Sequence, residues 1–395
     1  MAGLLPGITI QHSREIRRQT DLVRSDVAGI IGVVPRARWP KGARRGDFIE
    51  LPLSSWGDLQ HNPIAGFFDP ASVAAVRHFF VNGGVDCVLF GVCIEGEQDL
   101  RSDDPFDTCF HALIERLRGE DDLGILLIPI LAYLPASIGR DGNVEAPGQV
   151  TLELFLKHCA EMTNRFLIVD PPRDLHDKPL FNWVADLRSR NESSACHMAL
   201  YYPWLQNGDD VFPPSGAIAG LYARLDREHE PFGVRWPPAN RPLQGVTHPS
   251  VGVPWREISP YVDAHINLAL TQPARGVIVW GARTLSAEPR WRHINSRRVV
   301  SLIREQLRRD SRWVVFENQG PELWEILKRQ VRVRLDQLWD AGLLENGEAG
   351  LNYLVRCDKE TNPVEKRDAG QVNIEVTIRP ISTAEFIVME LRLGS

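Results

Sequence analysis

The sequence predicts an α/β fold, α+β overall, in two units with strand-like segments at both chain ends. Three observations carry this. From Phe48 to Tyr202 short β-branched or apolar runs alternate with amphipathic stretches, the signature of parallel strands joined by helices. A second, shorter alternation begins near Trp255. Both ends carry strand-like runs, a short β-branched one at Ile8-Thr9-Ile10 and a longer apolar one from Phe386 that has no later strand to pair with.

Taken in order, the first strand is Val27–Val34, followed by a loop, Pro35 to Gly46, defined by its prolines and glycines. That loop carries Arg36, Arg38, Lys41, Arg44 and Arg45, yet lacks the G-K-[ST] of a phosphate cradle, so it reads as solvated. Phe48–Leu53 reads as a strand. Asp69-Pro70 opens a helix to Phe80, with an acidic start, a first-turn proline and an Asn82-Gly83-Gly84 stop. Strand Cys87–Val92, a helix around Phe106–Leu117, strand Ile125–Leu131, helix Leu152–Thr163, strand Phe166–Val169, a helix around Leu180–Arg190 and strand Met198–Tyr202 continue the alternation. Residues 212–254 are rich in proline and glycine and form a long connection.

The second unit reads as helix Ile258–Leu270, strand Gly276–Trp280, a helix near Trp291–Arg309, strand Trp313–Phe316 and a helix near Glu322–Ala341 stopped by Gly342. At the C-terminus Val372, Ile374, Val376 and Ile378 alternate with polar residues, as in a half-buried strand. After Pro380 comes a second run, Glu385, Phe386, Ile387, Val388, Met389 and Leu391. Ile8-Thr9-Ile10 is its counterpart at the N-terminus, and the 19 residues from Ile8 to Asp26 span roughly 60 Å if extended. The resulting division is 1–26, 27–254, 255–379 and 380–395. On pattern alone, the terminal strands edge the chain's own sheet.

Composition narrows the function classes. At 395 residues, 43% hydrophobic and 24% charged, the chain has globular proportions. A net charge of -6 gives no global attraction to nucleic acid or anionic membrane. Six cysteines without a C-x-x-C pair read as reduced thiols, and no apolar run approaches the ~20 residues of a membrane span. These features predict a soluble, cytoplasmic chain without zinc.

No G-x-S-x-G, H-E-x-x-H, Walker loop or G-x-G-x-x-G is present. We therefore assign no catalytic, cofactor-binding or metal-binding residue. The adjacent pairs Asp103-Asp104, Asp121-Asp122 and Asp209-Asp210 read as exposed loop acids. Asp170, just after a strand at the sheet edge where α/β proteins place ligands, is the one isolated catalytic candidate, against an ordinary Asp-Pro turn. Arg283–Arg312 is locally cationic. It is either a nucleic-acid face or, because its arginines fall on the polar side of a helix, a solvated or protein-facing one.

One set of ordered motifs exceeds these generic readings: Phe79-Phe-Val-Asn-Gly-Gly84, Arg165-Phe-Leu-Ile-Val-Asp-Pro-Pro172, Tyr201-Tyr-Pro-Trp-Leu205, Pro213-Pro-Ser-Gly216, Ala219-Gly-Leu-Tyr-Ala-Arg-Leu-Asp226, Pro238-Ala-Asn240 and Gly245-Val246. It continues with Val279-Trp-Gly-Ala-Arg-Thr-Leu285, Trp313-Val-Val-Phe-Glu317, Arg356-Cys-Asp-Lys-Glu-Thr-Asn-Pro363 and Ala384-Glu-Phe-Ile387. Across nearly the whole chain this set resembles the tail sheath proteins of contractile phages and related injection systems.

The resemblance implies an outer α/β domain at 27–254, whose first strands are able to pack with the inner domain, an inner domain at 255–379, and terminal arms. It implies that Ile8, Thr9, Ile10 and Glu385, Phe386, Ile387, Val388, Met389 and Leu391 exchange into a neighbour's sheet, beside the strand of Val372, Ile374, Val376 and Ile378. The implied partners are further copies in hexameric rings, an inner tube protein, and baseplate and terminator or cap proteins, with no nucleic acid and no membrane insertion. The implied particle is assembled in the cytoplasm and then serves as a phage tail or injection machine. No enzyme activity or cofactor is implied. Lys328, Arg329, Arg332 and Arg334 are candidates for touching the tube. The alternatives are an α/β hydrolase-like enzyme around Asp170 and a nucleic-acid binder using Arg283–Arg312. The resemblance reverses the reading of the ends, which now belong in a neighbour's sheet, with Pro380 near the point where the chain leaves its own subunit.

Overall fold

A computed structural model describes residues 23–39, 42–140, 142, 144–229, 232–345 and 353–383. Eight strands form one sheet: β1 (Ala28–Pro35), β2 (Phe48–Leu53), β3 (Cys87–Ile94), β4 (Ile125–Leu127), β5 (Phe166–Val169), β6 (Met198–Tyr202), β7 (Ile266–Gln272) and β8 (Gly276–Trp280). Their spatial order is β8-β7-β6-β5-β4-β1-β3-β2. All neighbours are parallel except the two outermost pairs, β7/β8 and β3/β2.

Helices cover both faces, as the connections of a parallel sheet require. Along β1, Ile31 and Val33 enter one core with α2 (His111–Arg118), α3 (Gln149–Met162) and α4 (Asp177–Arg190). Ala28, Ile30 and Val34 enter the other, with α1 (Pro70–Val81) and α5 (Ser215–Glu228). The alternation is the pleat itself, one side chain up and the next down.

Asp69 shows how sequence fixes this layer. As the N-cap of α1 it accepts from Ser72 N through Oδ1 at 2.8 Å, and its Oδ2 accepts from Val33 N of β1, also at 2.8 Å. One buried carboxylate thus joins helix to strand. A Cβ on Gly32 would lie 2.4 Å from Ser72 Oγ, so the approach needs glycine.

Beyond the sheet, α6 (Ile294–Asp310), α7 (Pro321–Asp340) and a hairpin-like pair, β9 (Tyr353–Arg356) and β10 (Glu375–Ile378), enclose a third core with Phe232 and Val234. Helix α7 ends in a Schellman motif. Gly342 sits at φ +76°, Leu343 N donates to Leu338 O at 3.1 Å and Gly342 N to Trp339 O at 2.8 Å.

Several expected elements change. The sheet does not stop at Pro254, because β7 pairs in parallel with β6 (Ile266↔Leu200 to Leu268↔Tyr202), so the second compact unit starts after β8. The helix expected over 258–270 is one short turn, Ser259–Asp263, followed by β7. Residues 266–270, apolar except for the buried Asn267, are a fully covered strand, which carries no period to distinguish it from a buried helix. Strand 125–131 ends at Leu127, where Pro129 starts a 3-10 turn, and the helix expected from Phe106 begins at His111. Residues 313–316 form no strand. Arg312–Val314 is a 3-10 turn, and Phe316 is fully exposed. The C-terminal strand is shorter than the alternation suggested, starting at Glu375. All six cysteines are buried thiols.

Candidate assembly surfaces

Among the described residues, β9 and β10 pair only with each other, so each presents one unpaired edge. The register runs Tyr353↔Ile378 to Arg356↔Glu375. Val355 and Cys357 face the third core, where Val372, Ile374, Val376 and Ile378 pack half-buried, while Leu354 is 49% exposed on the opposite face. The connection is tied by Asn362. Its Nδ2 donates to Asn373 O at 2.9 Å, and Asn373 N returns a bond to Asn362 Oδ1 at 2.6 Å. Asp358 Oδ1 accepts from Glu360 N and Thr361 N, closing the turn. The Cys-Asp-Lys-Glu-Thr-Asn motif is therefore a turn that holds a small two-edged sheet in shape.

Both described chain ends are rooted on α6. At the N-terminal side, Val23 N donates to Gln306 Oε1 at 3.0 Å, and Ser25 Oγ to Asp226 Oδ2 at 2.8 Å. Arg298, 6% exposed, meets Asp226, 5% exposed, at 2.5 Å and 3.1 Å, and its Nη2 also donates to Ser25 O at 3.0 Å. Its guanidinium lies 4.8 Å above the Tyr222 ring. At the C-terminal side the chain does not leave at Pro380. Pro380 forms a β-bridge with Leu344, and Ile381 N donates to Leu343 O at 2.9 Å. Ser296 Oγ then donates to Ile381 O at 2.9 Å and Thr383 Oγ1 to Asn295 Oδ1 at 2.8 Å. The two roots, Asn295 and Gln306, are eleven residues apart on one helix, about 16 Å along its axis. Ile8, Thr9, Ile10 and Glu385–Leu391 lie outside the described residues.

The cationic segment is largely consumed within the chain. Arg308 and Arg312 grip Asp121 at 2.8 and 2.5 Å, and Arg309 meets Asp122 at 2.9 Å and Glu305 at 2.9 Å. Arg290 pairs with Glu288, and Arg297 stacks 4.6 Å above Trp291. Asp121 and Asp122, read from sequence as solvated, are thus the far side of an interdomain ion network. The partners are 187 or more residues apart in sequence, so no local signal pointed to them.

Asp170 accepts from Ser215 N at 2.8 Å, the first N–H of α5, and burial pushes it up to about 7. That is a helix-capping position. The small cavity beside it is lined chiefly by apolar residues, among them Ile128, Leu131, Leu152, Val169 and Trp183.

The four tube candidates on α7 separate. Lys328 reaches Glu325 at 2.5 Å and Arg334 reaches Asp310 at 2.6 Å, with side chains only 18% and 16% exposed. Arg329 and Arg332 are exposed. Near them run Ile326 and Val333, one heptad apart and also exposed, then Trp313, whose Nε1 donates to Gln330 Oε1 at 2.6 Å. Phe316, three residues after Trp313, is fully exposed at φ +73°. A bulky residue held left-handed and solvated costs about 1–2 kcal/mol, the kind of strain retained at functional positions. Sequence reasoning named the basic residues of this face but missed its apolar part, because it read 313–316 as a strand.

Comparison with known proteins agrees with the motifs. Residues 286–394 match the phage tail sheath C-terminal domain. Over 177 residues the chain is 24% identical to a protein described as a prophage major tail sheath protein of Pseudomonas aeruginosa (strain UCBPP-PA14), covering 44% of each chain. The match thus spans less than half the length of that relative. The fold is that of the anti-feeding prophage (AFP) helical sheath in the contracted state, with a TM-score of 0.72 at 22% identity, covering 99% of each chain. It is equally similar to a chain of the AFP baseplate (TM-score 0.71, 22% identity, 100% of each chain). The contracted sheath complex of the extracellular contractile injection system PVC matches with a TM-score of 0.70 at 23% identity, covering 99% of this chain and 98% of that one.

Proposed function

We propose that this chain is the sheath subunit of a contractile injection particle, polymerising as stacked hexameric rings around an inner tube and contracting to drive that tube through a target envelope. The observation that carries this is a two-stranded sheet whose outer edges are unpaired among the described residues, in a chain whose described ends are both tied to one helix. An open edge is a hazard in a monomer and a docking site in a polymer. Each added strand of four or five backbone hydrogen bonds contributes roughly 2–7 kcal/mol before apolar burial. The segments around Ile8–Ile10 and Glu385–Leu391 supply such strands to the β9/β10 sheet of neighbouring copies. Because donor and acceptor surfaces differ, the contact is head-to-tail and builds a helix instead of closing a dimer.

Contraction, on this reading, is the relaxation of one lattice into another with more shared surface. The work comes from subunit packing, so the mechanism calls for no nucleotide. The baseplate and a terminal cap bound the polymer, and the tube meets α7 through Arg329 and Arg332. Negative-stain microscopy of the expressed chain should show hollow striated cylinders. A variant ending at Thr383 should remain folded and form none; normal contractile cylinders from it would defeat the strand-exchange reading.

A further inference from the structure

We propose that one buried water bridges Arg165 Nε and Asn164 Oδ1 in the cleft where the N-terminal root, the edge of the eight-stranded sheet and α6 meet, and that this water braces the root. Ser25 of the root, Gly124 before β4, Asn164 and Arg165 before β5, and Arg298 and Ser301 of α6 line the cleft. About 10 Å³ is open within it, room for a single water.

The lining leaves a donor and an acceptor to be satisfied. Arg165 is fully buried, and among the described residues no carboxylate bonds its guanidinium. Nη1 donates to His158 Nε2 and Nη2 to Glu120 O, while Nε has no partner. Asn164 Nδ2 donates to Asp121 O at 3.3 Å, while Oδ1, likewise out of solvent, has none. Each such group left unpaired costs about 1–3 kcal/mol, so an occupant that serves both is strongly favoured. Ser301 Oγ accepts from Arg297 Nη2 at 3.3 Å and keeps its own proton to give.

This mixed set selects the occupant. A water accepts from Arg165 Nε and Ser301 Oγ and donates to Asn164 Oδ1. An anion would face the Asn164 carbonyl oxygen, and a cation would face guanidinium groups. The other two arginines of the lining are already spent, Arg24 on Asp26 at 2.9 Å and Asp86 at 2.7 Å, and Arg298 on Asp226. Backbone bonds hold the cleft in shape. Gly124 N donates to Val27 O and Phe166 N to Gly124 O, both at 3.0 Å. A Cβ on Gly124 would lie 2.5 Å from Ser25 O, so the root runs hard against the sheet at this point. The site is complete in a single chain and stands apart from the strand-exchange reading.

A crystal structure of the full-length chain, with bromide-soaked crystals measured beside it, tests the site. A peak within about 3.2 Å of both Arg165 Nε and Asn164 Oδ1, carrying no bromide signal, is expected. No peak, a direct protein bond to Arg165 Nε, or bromide in the cleft overturns the water. Asn164→Leu removes the acceptor and keeps the branching at Cγ. In solution it should speed hydrogen exchange of the amides at 23–25 about fivefold, on the scale of one lost hydrogen bond. Exchange at 118–122 reads the lost tie to Asp121 separately, and the amides of β1 and β3 report that the variant is folded. Unchanged exchange at 23–25 in this variant overturns the brace.

Discussion

Removing either partner of the Arg298–Asp226 pair should unmoor the N-terminal root as well as destabilise the fold. Both side chains are about 5% exposed, so truncating one leaves a charge stranded away from water. Asp226→Ala deletes two bonds to the guanidinium and the one from Ser25 Oγ, and should cost about 3–5 kcal/mol. Arg298→Met keeps much of the stem's packing, but strands the carboxylate and should cost about as much. In the double variant no charge is left buried, and its cost should resemble that of either single change, giving a coupling energy of at least about 2 kcal/mol. Urea unfolding of the four proteins in dilute solution measures it, with hydrogen exchange at 23–27 reporting the release of Ser25. Single effects that add to within about 0.5 kcal/mol would refute the argument.

Three further outcomes follow from the geometry. Burial holds His158 and His197 down to about 3 and His78 and His265 to about 4, against an unfolded value near 6.5. These four sites bind more protons in the unfolded chain between pH 6.5 and 4, opposed by the Asp170 carboxyl, which holds a proton in the folded state below about 7. Four against one, stability should fall as pH drops through that window, by up to about 1.4 kcal/mol per histidine per unit, and a flat urea midpoint from about 6.5 to 4.5 contradicts this. Gly220→Ala would place a Cβ 2.3 Å from Phe79 O where α5 meets α1, and should lower stability by about 1–3 kcal/mol, read by thermal unfolding. Phe316→Gly should stabilise the lone chain by up to about 1 kcal/mol while weakening sheath–tube assembly, and Arg329→Glu with Arg332→Glu should abolish that assembly; co-assembly with the tube at parental yield in both variants would remove this face of α7 from the tube contact.

What could be read from the sequence was local. Asp69-Pro70 announced α1, Gly342 announced the end of α7, and the strands at 48–53, 166–169, 198–202 and 276–280 fall where their apolar runs placed them. What failed was either aperiodic or distant. Ile266–Leu270 is covered on both faces, so nothing in its pattern separates strand from helix. Trp313–Phe316 has a strand's composition, but of its apolar residues only Val314 packs on the core and the others are exposed, a fact about partners and not about the segment. The arginines of α6 looked available because Asp121, Asp122 and Asp226 are remote in sequence. The assembly surface was legible in part: the alternation at 372–378 marked β10, but its mate β9 has only one deeply buried residue, Val355, and gave no period.

The placement of both described ends on α6 has a mechanical meaning. If neighbours pull on the two arms, tension enters at Gln306 and leaves at Asn295, so the load path through a subunit is three turns of one helix, stiffened on its flank by α7. The eight-stranded layer lies beside that path, joined to it by the chain entering β1, by Arg298–Asp226 and by the Asp121 network. The ties at Gln306 and Ser25 thus take up part of the pull before it reaches β1. A polymer wired in this way can strain along its helical strands without unfolding its largest domain. The surface of that domain is then free to vary in sequence, or to accept insertions, without weakening the line that transmits the stroke.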